Sequence, residues 1–425
     1  MTEPLRPLFH FTAPRGWLND PNGLIFHQGF WHLFYQHNPK GTDWGNMTWG
    51  HARSTDLLHW EHLPLALEPY GKGTIFSGSA VLDERGAAGC GKRALLLFYT
   101  FAGKPFDQRM AFSNDAGQTF QQLAWNPVLP NIEGENRDPR VFWHAGAAHW
   151  CMALYVRRGT SDGIEFYTAP RLTAWSFSSR IEGFYECPEC FELEGSWVLF
   201  GADGEYVLGQ FDGMAFHPEG ERLKLDYGMN FYAAQTWSHV PENRRVLIAW
   251  MRGGSYPGMP FNQQLTFPTD ITLREISGQK RLCRQPIPEI SLLWRESWQV
   301  TETALVPGCG LTGLWEGEAF DVEATLILEP GAQLVLTVRG STIHYDAARE
   351  QLSCFGRTAS MPLPEDKHLK LRVLCDRTSI EVFGGEGEIA FSNCFLPDTA
   401  HRTVALAASD GGVYVNTLSV RLIRA

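Results

Sequence analysis

The chain has 425 residues, a formal charge of −11, 44% hydrophobic residues and 15 tryptophans. It is long enough for two or three domains, and no apolar run approaches the ~20 residues that cross a bilayer. The acidic balance excludes nucleic acid and anionic membrane as partners, since both reward clustered Lys and Arg.

Near the N-terminus, Met1–Pro7 has no apolar signal core, which predicts a cytoplasmic protein unless a leader has been removed. Trp17-Leu18-Asn19-Asp20-Pro21-Asn22-Gly23 is dense in turn-forming residues. It is followed by strand-like runs at 24–26 and 30–35 that read as a hairpin. This predicts that Asp20 sits in a rigid loop at the mouth of a sheet, beside Trp17 and Asn19. Further short, β-branched and aromatic segments at 76–83, 93–101, 108–113 and 149–157 are bounded by Gly, Asp, Asn or Pro, and long amphipathic helical patterns are scarce. The class is all-β.

A degenerate repeat adds to this. Ser54-Thr55-Asp56 leads to Trp60, Ser113-Asn114-Asp115 to Phe120, and Thr168-Ala169-Pro170 to Trp175, with Phe211-Asp212-Gly213 before Phe216 as a looser copy. Repeats of roughly 40–50 residues or a little more, each holding several strands, suit propeller blades. The pattern changes near 290. Residues 1–290 are expected to form the propeller and 291–295 a link, with Ser291–Trp298 as a short helical connection. Residues 296–425, whose runs alternate at sandwich spacing, are expected to form a supporting β-sandwich, with Gly384–Gly387 as a hairpin turn.

Nine cysteines, odd in number and spread from Cys90 to Cys394, do not read as a disulfide framework. Cys187-Pro188-Glu189-Cys190 has no second Cys or His pair beside it, so no metal site is expected.

Two further acidic residues stand in Pro-containing motifs, in Arg137-Asp138-Pro139 and Glu186-Cys187-Pro188. Equivalent loops of a propeller converge at one end of its axis, which would bring these carboxylates to Asp20. Glycoside hydrolysis needs such a set, with one carboxylate to attack the anomeric carbon and a protonated carboxyl to supply the leaving oxygen. Arg137 is expected to hold its neighbour Asp138 ionised, and Asp20 to be stabilised as the anion. Glu186, among Phe184, Tyr185 and Cys187, is expected to carry the raised pKa of a general acid.

On these motifs the sequence resembles glycoside hydrolase family 32, the invertase, inulinase and levanase group. Trp17–Gly23 is similar to the family's β-fructosidase signature, Arg137–Pro139 to its R-D-P motif and Glu186–Pro188 to its E-C-P motif. Tyr35–Pro39, Trp49-Gly50-His51, Phe76–Ser79, Phe231–Ala234, Ala249–Met251 and Asp376–Gly384 also match in order. The resemblance implies a five-bladed β-propeller followed by a β-sandwich, acting on sucrose, fructo-oligosaccharides or fructans with retention and without a cofactor. It implies Asp20 as nucleophile, Glu186 as acid/base and Asp138 as transition-state stabiliser. Asn19, Gln36, Trp44, Phe76, Ser77, Arg137, Asp226 and Trp250 are implied as substrate-binding residues. Glu189 and Asn230 depart from the family pattern, which usually or often has Asp at each position. Oligomeric state is not readable from the sequence. The alternatives are a fructosyltransferase or a non-catalytic carbohydrate-binding relative.

Overall fold

The computed structural model describes residues 3–312 and 315–424. Five sheets built from consecutive strands make up the first 286 residues. Blade I holds Gly16–His27, Phe30–Asn38, Thr48–Ser54 and Glu61–Leu67; blade II opens with Thr74–Asp83, blade III with Asn136–His144, blade IV with Glu189–Leu193 and blade V with Tyr232–Thr236. Within each blade successive strands pair antiparallel, as short connections require. The opening strands pack against one another around an axis: Gly16–His27 touches both Thr74–Asp83 and Tyr232–Thr236, and Thr74–Asp83 touches Asn136–His144. The ring closes where Gly16 and Trp17 pair in parallel with Phe261 and Asn262 of the last blade.

The degenerate sequence repeat has a structural meaning. Ser54, Ser113, Ala169 and Phe211 each end the third strand of blades I to IV. At the first two, the serine and the aspartate two residues on bond each other at 3.0 and 2.7 Å and cap the turn. Blade V carries no such turn, so the repeat fades there.

Two expectations about local structure change. Asp20 lies within the strand Gly16–His27, not in a turn before a hairpin. The turn residues instead produce register shifts between Leu18 and Pro21 and between Asn22 and Ile25, bulges that re-aim side chains. Arg137–Pro139 likewise lies inside Asn136–His144, and only Glu186–Pro188 is a loop.

After Pro286, a 3-10 turn at Pro288–Leu293 leads into the strand Trp294–Leu305. That stretch, expected to be partly helical, has only the end of this six-residue 3-10 helix before β pairing with Val413–Ile423 takes over. Two six-stranded sheets follow, facing each other across a core that includes Phe320, Leu326, Leu336, Val373, Phe391 and Leu406. Gly384–Gly387 is the predicted hairpin turn, with Gly384 opposite Ile389.

The two domains are joined by buried charge. His10, from the segment entering blade I, places Nδ1 2.9 Å from Asp376 Oδ2 and Nε2 2.9 Å from Glu381 Oε2, both on the sandwich. Arg284 of blade V donates to Asp226 Oδ2 at 2.5 Å and to Ser392 Oγ at 2.8 Å. Burial pulls the His10 imidazole down, but the two carboxylates outweigh it and raise it to about 9, so the ring is charged at neutral pH.

Candidate active site

One end of the propeller axis opens into a cavity of about 410 Å³. Its wall includes Asn19 and Asp20 from the opening strand of blade I, Gln36 from the next strand, Ser77 from blade II, Arg137 and Asp138 from blade III and Glu186 from the loop entering blade IV. Trp44, Phe76 and Trp250 complete the set that the sequence brings here.

Asp226 does not belong to it. Its carboxylate is buried against Arg284 and the backbone and hydroxyl of Ser392, where it joins the propeller to the sandwich. A carboxylate held by a buried guanidinium and a serine has no free face for a sugar, which corrects its expected place in the pocket. The two departures from the family pattern also lie outside the cavity wall. Glu189 is fully buried, 2.9 Å from Arg140 and 2.7 Å from the Thr236 hydroxyl. Asn230 donates to the Arg252 carbonyl at 2.6 Å and accepts from Cys394 N at 2.8 Å.

The three carboxylates are held by different partners. Asp20 Oδ2 accepts from the Ser77 hydroxyl at 2.6 Å. Ser77 is placed by its neighbour Gly78, whose N–H donates to Asn22 Oδ1 at 3.1 Å. A Cβ at Gly78 would sit 1.9 Å from the Phe98 carbonyl, so only glycine lets these strands approach so closely. Asp138 Oδ2 accepts from Cys187 N at 3.1 Å, while its own N–H donates to Thr100 Oγ1 at 2.9 Å. Glu186 has both oxygens occupied, Oε1 by Arg137 at 2.5 Å and Oε2 by the Tyr232 hydroxyl at 2.6 Å.

Backbone strain accompanies this placement. Asp138, Glu186 and Cys187 have φ of 64°, 45° and 42°, in the left-handed region that non-glycine residues occupy at a cost of about 1–3 kcal/mol each. Arg137 Nε stands 3.9 Å from Asp138 Oδ2, whereas its Nη2 is 2.5 Å from Glu186 Oε1.

That geometry reverses the expected order of ionisation. Burial raises Asp138 to about 7, against a partial offset from Arg137. Burial also raises Asp20, with Ser77 and Asn19 opposing it. Glu186 is pushed up by burial too, but Tyr232 and Arg137 more than compensate, and its value falls below that of an ordinary glutamate. The raised groups are therefore Asp138 and Asp20, and Glu186 is a stronger acid than Asp138.

Several wall residues were not named as binders from the sequence. Tyr232, Tyr185, Cys187, Arg252 and Trp17 all line the cavity. The Cys187 thiol lies 3.7 Å from Asp20 Oδ2 and 3.5 Å from Asp138 Oδ2, and burial keeps it protonated, a neutral spacer between two acids. Arg252 stacks over the Tyr232 ring at 4.5 Å, and Trp17 and Tyr232 each meet Trp250 edge-on. Trp17 stands in the same motif as Asp20, and Tyr232 in the Phe-Tyr-Ala run; only a contact map shows that they share one wall. Trp44 is 58% exposed at the rim, edge-on to Phe76, so it is not a core residue.

Comparison with known proteins adds an independent line. The glycosyl hydrolases family 32 N-terminal domain matches residues 10–286, and the family 32 C-terminal domain matches residues 295–421. A levanase of Bacillus subtilis is 33% identical over 99% of this chain and 71% of its own length. An extracellular exo-inulinase of Aspergillus awamori is 30% identical over 96% of this chain and 93% of its own. Among solved structures, that of exo-inulinase from Aspergillus awamori superposes with a TM-score of 0.90 at 27% identity, covering all of both chains. A fructofuranosidase from Schwanniomyces occidentalis complexed with fructose gives 0.89 at 25% identity, covering 100% of this chain and 99% of that one.

Proposed function

The chain belongs to glycoside hydrolase family 32, and from that premise we propose that Asp20, Glu186 and Asp138 together release terminal β-D-fructofuranosyl residues from sucrose and fructans. The observation that carries the reading is the meeting of these three carboxylates, from blades I, III and IV, in one cavity rimmed by aromatic rings.

Asp20 attacks C2 of the fructosyl unit while Glu186 gives its proton to the leaving oxygen. Arg137 and Tyr232 already hold both Glu186 oxygens as acceptors, so they stabilise the carboxylate that this step produces. A lowered pKa thus makes Glu186 a willing donor. The proton itself belongs to the cluster: through mildly acidic pH the three acids keep at least one between them, and the reactive arrangement has it on Glu186. Water, deprotonated by Glu186, then frees fructose from Asp20 with net retention. Asp138, accepting from the Cys187 N–H and 3.9 Å from Arg137, is placed to hold sugar hydroxyls and answer charge developing in the ring. The buried amide nitrogen of Gln36 has no protein partner, which suits it to a sugar hydroxyl.

Product analysis on sucrose, kestose, inulin, levan and levanbiose tests the reading. Fructose should be released one unit at a time from every substrate cleaved, matched by an equal amount of glucose from sucrose. Release of internal oligosaccharides, or no turnover on the whole panel, would overturn it.

A further inference from the structure

The strands that carry the active site run on to a second cavity at the opposite end of the axis. Val81 and Leu82 lie beyond Ser77, Arg140 beyond Asp138, and Cys190 and Phe191 beyond Glu186, and all five line a space of about 420 Å³. With a rise of about 3.3 Å per residue, these few positions separate it from the catalytic pocket. Trp143, Trp150 and Phe191 form much of its wall.

Its deep end is short of negative charge. Arg140 is 3% exposed and gives Nη2 to Glu189 at 2.9 Å, while its Nε and Nη1 have no partner. Arg245 has no carboxylate within salt-bridge distance among the described residues. Its polar contacts are long, 3.4 Å to Thr236 Oγ1 and to the Trp237 carbonyl and 3.5 Å to the Glu192 carbonyl. Burial and the nearby charge of Arg140 pull Arg245 down to about 10, so the two cations share an environment with one carboxylate between them. The indole N–H of buried Trp150 is unpartnered as well. Folded proteins rarely leave so many buried donors unmet, and an unpaired guanidinium is costly. Glu84, Arg85 and Glu192 are exposed residues of the same wall.

We propose that this cavity binds a small tetrahedral oxyanion of the phosphate class. The unmet donors of Arg140 and Trp150, with the loosely bonded Arg245 guanidinium beside them, come from three segments, so a ligand with oxygens in several directions suits them better than a planar carboxylate or a halide. The site is separate from the catalytic cluster, and its occupation adds stability to the propeller by binding the folded state alone.

Calorimetric titration of the full chain with inorganic phosphate tests this, with sulfate, acetate and chloride at matched ionic strength as parallel arms. Phosphate and sulfate should bind one to one and raise Tm, and saturating fructose in the catalytic pocket should not displace them. Arg245→Met should weaken phosphate binding by about tenfold or more, with hydrolysis of sucrose unchanged. Arg245→Lys should keep part of the affinity and serves if the Met variant fails to fold. No phosphate binding, equal effects of chloride, preference for acetate, displacement by fructose, or unaltered binding by the folded Arg245 variants would each overturn the proposal.

Discussion

Replacing Asp138 by Asn should make the protein more stable above neutral pH while impairing it as an enzyme. The buried carboxyl holds its proton to about 7, against 3.8 for an unperturbed aspartate. Because the native state binds the proton more tightly than the unfolded chain, stability falls as pH rises between those two values. Across that window the loss is about 4 kcal/mol. Asn has nearly the same shape, keeps an oxygen for the Cys187 N–H and never ionises. The variant's advantage should therefore be near zero at pH 4, grow through pH 7 and level off at no more than about 4 kcal/mol. Urea denaturation and Tm, measured from pH 4 to 9 for both proteins, read this directly, and kcat/KM on sucrose should fall in the same variant. If the stability of Asp138→Asn tracks the parent at every pH, or falls below it above pH 7, the assignment of the raised pKa to Asp138 is refuted.

Asp20→Asn should nearly abolish turnover, whereas Glu186→Gln should lose least on an activated fructoside whose leaving group needs no proton; equal losses on both substrates would remove Glu186 from the acid role. The nearest carboxyl oxygens of Asp20 and Glu186 should approach to roughly 5–5.5 Å in a fructose complex, and NMR of freshly released fructose should show the retained anomer before mutarotation. Asp226→Asn should destabilise the protein by about 3–5 kcal/mol by leaving Arg284 poorly paired, with KM for sucrose unchanged; a raised KM at full stability would return Asp226 to the pocket. For His10, raised from 6.5 to about 9, the sign is opposite to that of a carboxylate held ionised, and its contribution is complete below 6.5 and lost as pH rises through 9. That loss should be about 3 kcal/mol in the parent protein and absent from the pH profile of His10→Gln.

The sequence is most legible where a local pattern and a spatial role coincide. Serine and aspartate two residues apart cap the turn after the third strand in two blades, so a short motif reported a unit of architecture. The carboxylates were legible because each sits beside residues that bend or strain the chain. What those residues do to the backbone was not legible. Turn formers around Asp20 make bulges in a continuous strand, because pairing with Phe30–Asn38 on one side and Phe261–Asn262 on the other overrides local preference. Adjacency misled most at Arg137, where neighbours in sequence need not be partners in space. Arg137 keeps only a 3.9 Å contact with Asp138, and its guanidinium bonds a glutamate from the loop entering the next blade. Asp226 failed for a related reason: its partner Arg284 is far along the chain, and nothing local marks an acid as belonging to a domain interface.

Burial alone does not predict how three of this molecule's clusters of buried charge behave. At the domain junction Asp376 and Glu381 are as deeply buried as Asp138, yet His10 and several backbone N–H groups hold both below their ordinary values. At the catalytic end the Arg137 guanidinium bonds Glu186 and Glu135, stands 3.9 Å from Asp138 and has no ion pair with Asp20 among the described residues. Asp20 and Asp138 are raised by burial, Asp138 in spite of a partial offset from Arg137. At the opposite end Arg140 and Arg245 share Glu189, and there the shortage is of negative charge. Desolvation acts on every member of these clusters, so what separates them is the supply of partners. A balanced cluster locks two domains together, whereas an unbalanced one keeps a proton or a set of unmet donors that a substrate or an ion can use. By that criterion the reactive end of the propeller is distinguished from the junction less by its acids, which both contain, than by Arg137 and Tyr232 favouring Glu186 over Asp20 and Asp138.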